Sequence, residues 1–252
     1  MIIKTFNSFN EDLKKIWYEC CVNSNSTIFQ DYEWLLHWHA TFSDYLKTKL
    51  CIIVIYKNDN VISILPLCIN NRNKVNVLEW IGIGVSDYLQ PIVKNKEIIT
   101  KYDYDFIFNK LVKEYKYIDL IQLTNLPEKV GSYENCLVKS YNCKKISSSY
   151  KINIDSNFND YIKKNKSINK SVKDLIRLEN NFNKKSPIKY VEYKNYEMRH
   201  AATNEMISLK EKQYNTTGVN NIFVNKLFKN FYLGLLLLNN FQEKIHVSSL
   251  TF

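Results

Sequence analysis

Apolar and polar positions alternate along this chain in two distinguishable rhythms. "IIKTF" (residues 2–6) is a short apolar run that predicts a strand, and in "NSFNEDLKKIWYECC" the apolar positions Leu13, Ile16, Trp17 and Cys20 recur at helical spacing. A second helix is predicted from about Gln30, with Trp34, Leu35, Trp38 and Phe42 at three- and four-residue steps. Two apolar runs, "KLCIIVIYK" and "VISILPLCIN", follow with "NDN" between them, a hairpin signature tolerant of left-handed backbone angles. A third strand is predicted in "KVNVLEWIGI". Residues 101–115 return to helical spacing through Phe106, Ile107, Leu111 and Val112, and the nearly continuous apolar run "YIDLIQLTNL" predicts a strand at a sheet centre.

From Tyr150 a similar order begins again: strand "YKINI", helices in "NFNDYIKKN" and "SVKDLIRLENNF", strand "IKYVEY", helices over 197–214 and 222–238, and strand "KIHVSSLTF". The expected fold class is therefore α/β with mixed sheets, in two domains of like construction over 1–148 and 149–252, the second incomplete at its C-terminus.

Composition adds little that is specific. With 5 glycines and 4 prolines in 252 residues, the chain lacks the makings of long disordered linkers. The longest apolar run, "FYLGLLLL" (231–238), is too short to span a bilayer, and the N-terminal stretch turns polar and acidic where a secretory signal needs its apolar core, so a cytoplasmic protein is expected. The six cysteines contain no C-x-x-C pair and no accompanying histidine cluster, which predicts reduced thiols and no metal site. The formal charge of +10 is unevenly placed: Lys and Arg outnumber Asp and Glu by 18 to 16 over residues 1–150 and by 17 to 9 over 151–252.

That excess is concentrated in one helix. Lys163, Lys166, Lys170, Lys173 and Arg177 fall at three- and four-residue intervals and form a ridge, with Ile162, Val172, Leu175 and Ile176 on the other side. Lys166, Lys170, Lys173 and Arg177 are the candidate anion-binding residues. No aromatics interleave with them, which speaks against single-strand nucleic acid as the partner. The other feature is the junction "EWIGIGVSDYLQPIV" (79–93). Gly82 and Gly84 permit close backbone approach, and Asp87 with Tyr88 places a carboxylate and a phenol at a strand end.

Taken in order, "IFQDYEWLLHWHATF" (28–42), "ISILPLCI" (62–69), "LEWIGIGVSDYLQPIV" (78–93), "KKNKSINKSVKDLIRLE" (163–179) and "ISLKEKQYNTTG" (207–218) resemble the CelD-type branch of the GNAT acetyltransferase superfamily, proteins of two GNAT-like domains related to the Fem-type aminoacyltransferases. The resemblance implies acyl transfer from acyl-CoA (acetyl-CoA) or a related donor to an amine, with an amino sugar on a polysaccharide or cell-envelope precursor as the acceptor class. It further implies catalytic roles for Asp87 and Tyr88, and substrate contacts from Gln30, Tyr32, Gly84, Ser86, Lys210 and Tyr214. The Gln/Arg-x-x-Gly-x-Gly/Ala pyrophosphate loop usual in GNAT domains is not present in the sequence. The alternative expectation is a non-catalytic binding module, derived from such an enzyme, that holds an anionic partner.

Overall fold

The computed structural model describes residues 1–150, 157–164, 166–184, 186–238 and 243–251. It is a mixed α/β structure with several small sheets. The chain divides into two compact units, Met1–Cys143 with Ile207–Gln242, and Lys144–Met206 with Glu243–Phe252. These units are not sequential: the segment from Ile207, which lies in the second half of the sequence, belongs with the first unit.

In the first unit, β1 (Ile2–Phe6) leads into α1 (Glu11–Cys21), whose Asn10 side chain accepts from the Leu13 N–H and whose first turn carries Glu11 and Asp12. Both features stabilise a helix start, by satisfying a free N–H and by complementing the helix dipole. Leu13, Trp17 and Cys20 are its buried face, as the periodicity predicts. After a 3-10 turn, Ile28–Gln30, α2 (Tyr32–Leu46) starts on the Asp31 cap and buries Trp34, Leu35, Trp38 and Phe42.

The next two apolar runs are each cut in two. β2 (Lys49–Leu50) and β3 (Ile52–Lys57) part at Cys51, and β4 (Asn60–Leu65) and β5 (Leu67–Arg72) part at Pro66. Proline has no N–H to give a ladder. Its carbonyl instead accepts from Ile81 N at 2.9 Å, while Cys51 N donates to Leu67 O at 2.9 Å. The meander therefore passes from one sheet into another at this level. β1, β3, β4 and β7 (Ile92–Val93) form an antiparallel sheet in the order β1-β3-β4-β7. β2, β5, β6 (Val75–Trp80) and β8 (Leu120–Ile121) form the second, in the order β2-β5-β6-β8. Both hairpin turns use left-handed pairs, Asn58 with Asp59 (φ 49 and 61) and Asn73 with Lys74 (φ 52 and 72), the angles a tight two-residue hairpin demands.

The last pair of the second sheet is parallel, with Val77 opposite Leu120 and Leu78 opposite Ile121. Parallel neighbours need a crossover, and here the chain travels from β6 to β8 through β7 and α3 (Lys101–Glu114). Tyr104, Ile107 and Leu111 of α3 are buried against Ile53, Leu67, Leu78 and Trp80. Two sequence expectations change at this point. Phe106 and Val112 face outward, 50% and 42% exposed. The run "YIDLIQLTNL" is an edge strand, not a central one: among the described residues it pairs on one side only, and Leu120 is 47% exposed.

Short strands β9 (Lys129–Val130) and β10 (Tyr133–Glu134) and helix α4 (Cys136–Ser140) complete this part. The second unit contains α5 (Phe158–Lys164), α6 (Lys166–Asn183) and β11 (Lys189–Glu192). The expected strand "YKINI" lies almost wholly outside the described residues. α7 (Tyr196–Thr217) belongs to the second unit up to Met206 and to the first from Ile207. α8 (Lys226–Leu235) packs on α2 in the first unit, and β12 (Ser248–Thr251) pairs antiparallel with β11 in the second. Among the described residues no helix is long and apolar enough to cross a membrane. None of the six cysteines takes part in a disulfide.

Candidate functional site

The junction singled out in the sequence follows β6 directly, at the C-terminal end of the parallel β6–β8 pair. In sheets with parallel strands that is where ligands are bound, because the chain diverges there and leaves backbone groups to converge on a small molecule. The ladder between the two strands ends with Gln122 N donating to Leu78 O at 3.0 Å. Beyond that point the loop itself bridges the gap. Asn125, a left-handed residue with φ 56, donates from Nδ2 to Ser86 O at 2.9 Å and accepts from Leu89 N at 2.9 Å.

Side chains from other elements hold the remainder. Trp38 Nε1 donates to Ile83 O at 3.0 Å, Trp34 Nε1 to Ser86 Oγ at 3.0 Å, Gln30 Nε2 to Tyr88 O at 2.7 Å and Gln90 Nε2 to Asn25 O at 2.9 Å. Gly82 takes φ 98, and a Cβ there would lie 2.8 Å from Ser86 Oγ. Loop carbonyls satisfied by buried indoles and amides have few alternative positions, so the turn is a rigid mount and not a free loop.

On this mount the expected site residues separate into two groups. Gln30 is buried, its Oε1 accepting from Thr27 N and Oγ1 at 3.1 and 2.9 Å, and its amide nitrogen is spent on Tyr88 O. Tyr32 is also buried; its hydroxyl donates to Asn10 O at 3.1 Å, its ring packs against Phe9 and Trp17, and burial pushes the phenol up to about 12. Ser86 is buried beneath Trp34. Gln30 and Ser86 build the turn, while Tyr32 ties α2 to the start of α1.

Asp87 is different. It is exposed and makes no hydrogen bond or ion pair among the described residues. The Tyr232 phenol on α8 is raised first by desolvation, then by the charge of Asp87 and by Tyr214 on α7. Tyr232 packs edge-on against Phe231 and near Phe223, and Tyr214 also approaches Phe223. Gly84, φ 89, is exposed beside the ring of Phe228, one helical turn before Tyr232. Tyr88 is half-buried with its ring 6.0 Å from Phe29. The structure thus brings Asp87, Gly84 and Tyr214 to one corner, with Tyr232 and Phe228 supplied by α8. Sequence reading missed those two because "FKNFYLGL" carries no signal beyond apolarity.

Lys210 is exposed on α7, donating to Gln213 Oε1 at 3.0 Å. Lys170, Lys173 and Arg177 lie on α6 in the other unit, as does Lys166, whose side chain is outside the described residues.

α8 is fixed opposite the turn by a helix crossing. Gly234 has no Cβ where the His37 ring lies; an added one would stand 2.5 Å from its Cε1. The imidazole stacks on Phe231 at 5.0 Å, and its Nε2 donates to Phe231 O at 2.9 Å. Burial lowers the His37 pKa, so the ring is held neutral, with Nε2 carrying the proton.

A second group not foreseen lies on β5 and β6. Glu79, buried, accepts from Arg72 Nε and Nη2 at 2.8 Å each and from Asn70 Nδ2 at 2.9 Å. With its oxygens so engaged, this carboxylate anchors the sheet just before the turn. An open depression of about 480 Å³ on the outer side of α3, lined by Phe106, Asn109, Lys110, Lys113 and Glu114, includes none of these groups. Among the described residues no group of three or more potential ligands could hold a metal ion.

Compared with protein-family models, with curated proteins and with solved structures, the chain matches none.

Proposed function

We propose that the chain is a double-GNAT-type N-acyltransferase, working in the cytoplasm, that transfers an acyl group from acyl-CoA to an amine, the acceptor being an amine or amino sugar of a polysaccharide or cell-envelope precursor. One observation carries this reading: an exposed carboxylate, Asp87, whose charge acts on the Tyr232 phenol, stands on a rigid turn at the open end of a parallel strand pair built on an antiparallel meander. The order strand, two helices, meander, helix, parallel strand also fits the resemblance.

In such a reaction the amine nitrogen attacks the thioester carbonyl, the C–N bond forms, the C–S bond breaks and the thiolate leaves. Asp87 accepts a hydrogen bond from the incoming amine, aims its lone pair at the carbonyl, takes the proton the nitrogen loses and passes it on to the departing thiolate. Tyr88 and Tyr232 are phenol donors for the leaving sulfur or the developing oxyanion, and Tyr214 flanks the acceptor. Gln30 and Ser86 hold the turn in place for this chemistry.

The test is acetyl-CoA binding by calorimetry together with thiol release over a panel of amines and amino sugars. Asp87→Asn is expected to lower kcat/KM about 10²-fold or more while leaving acetyl-CoA affinity unchanged. Absence of both acetyl-CoA binding and thiol release by the wild-type protein would remove the reading.

A further inference from the structure

We infer that the corner formed by Asp87, Phe228, Tyr232 and Tyr214 is a binding site for an alkylammonium cation, the protonated form of an amine or its N-methylated analogue. Two kinds of group there attract positive charge, a carboxylate and the faces of aromatic rings. The turn lies directly against α8 at Gly84, where an added Cβ would touch the Phe228 ring, 3.6 Å from its Cε1 and Cζ. Asp87 follows on the same turn. Tyr232 follows Phe228 by four residues, which sets the two rings on one face of α8. Phe223 ties in the third ring: its centroid is 6.0 Å from that of Tyr232 and 6.4 Å from that of Tyr214.

The character of these groups favours a compact cation over a neutral ligand of like size. The rings are tilted against one another, Phe223 to Tyr232 by 60° and to Tyr214 by 32°. They therefore present faces from more than one direction, as enclosing a compact ion requires, and not the single flat platform on which a base or a sugar ring stacks. Phe228, Tyr232 and Tyr214 are half-buried, which leaves part of each ring to a ligand, while partial desolvation strengthens a cation–π contact. Asp87 is exposed and makes no ion pair among the described residues, so an incoming cation displaces no lysine from it. The Tyr232 phenol, raised first by desolvation, also responds to the Asp87 charge.

The inference rests on the acyltransferase reading only in taking the amine so held for the acceptor; the site itself is tested without any donor. Choline has the charge and no N–H, which separates cation recognition from hydrogen bonding to an amine. Choline and its uncharged carbon isostere, in which a tert-butyl group replaces the trimethylammonium, are titrated into the full chain by calorimetry. Choline is expected to bind about tenfold more tightly than the isostere, or better. Asp87→Asn and Tyr232→Leu should each weaken choline binding about fivefold or more, and Tyr232→Phe, which keeps the ring, should retain it. Thermal melts report the fold of each variant, and Asp87→Asn, at an exposed position, decides the matter if Tyr232→Leu does not fold. Equal binding of choline and its isostere, no binding of choline by the wild type, binding unchanged in Asp87→Asn, or a Tyr232→Phe variant as weak as a folded Tyr232→Leu would each overturn the inference. Thiol release from acetyl-CoA by a protein that does not bind choline would remove this inference and leave the acyltransferase reading standing; choline binding by a protein that neither binds acetyl-CoA nor releases thiol would do the reverse.

Discussion

Replacing Gly234 by alanine should destabilise the protein although alanine is the better helix former, and the sign of that effect should depend on one side chain. Within a helix the exchange alone contributes up to about 1 kcal/mol of stability. Here the new Cβ would stand 2.5 Å from His37 Cε1 and 2.8 Å from Nε2, so the imidazole must leave its place. Leaving breaks the 2.9 Å bond to Phe231 O, worth about 1 kcal/mol, and the stacking on Phe231, worth about 0.5–1.5 kcal/mol. Strain of the displaced ring adds about 1 kcal/mol or more. The sum is a net loss of about 1–3 kcal/mol for Gly234→Ala, read as a lower urea midpoint with unchanged slope. In a His37→Ala background the Cβ meets no ring, and the same exchange should be neutral or stabilising, giving a coupling of about 2–3 kcal/mol in the double-mutant cycle. Equal effects in both backgrounds would refute the claim that this contact fixes α8, and with it the placement of Tyr232 opposite Asp87.

Three further outcomes are expected. Gly82→Ala, which combines a φ of 98° with a 2.8 Å approach to Ser86 Oγ, should cost about 2 kcal/mol or more, whereas Gly84→Ala, whose Cβ would lie 3.6 Å from Phe228, should cost only the left-handed backbone, about 1 kcal/mol; paired urea titrations compare them. Arg72→Ala leaves the buried Glu79 carboxylate without its bidentate partner and should destabilise by about 2–3 kcal/mol, less than a fully buried pair because the Arg72 side chain is 43% exposed, and Arg72→Lys should recover part of this. Burial lowers the pKa values of both His37 and His39 below the ordinary 6.5, so the unfolded chain binds protons that the folded one does not. Stability should be level above about pH 6.5 and fall as pH drops below it, and substituting both histidines by glutamine should flatten that limb in thermal melts across pH.

Much of the architecture is written locally. Helical spacing in the sequence places the buried faces of α1 and α2 because a helix's inward stripe depends only on residues three and four apart. "NDN" marks the β3–β4 turn through the same residues that adopt its left-handed angles. The charge ridge of α6 is equally local. Asp87 was visible as a carboxylate at a strand end, for the glycines around it are local signals too. What the sequence did not disclose depends on pairs distant along the chain. The cut of the meander into two sheets at Cys51 and Pro66 is fixed by carbonyls that Ile81 and Cys51 reach from elsewhere. The edge position of β8 follows from which strands lie beside it, a fact that its apolar run cannot encode. The division between residues that build the turn, Gln30 and Ser86, and the one left exposed, Asp87, was settled by which polar groups found partners once the chain had folded. α8 reaches that corner only because Gly234 admits His37, a fit between residues nearly two hundred positions apart. Local periodicity determines which face of an element is apolar; only packing determines what that face, and the polar groups beside it, will meet.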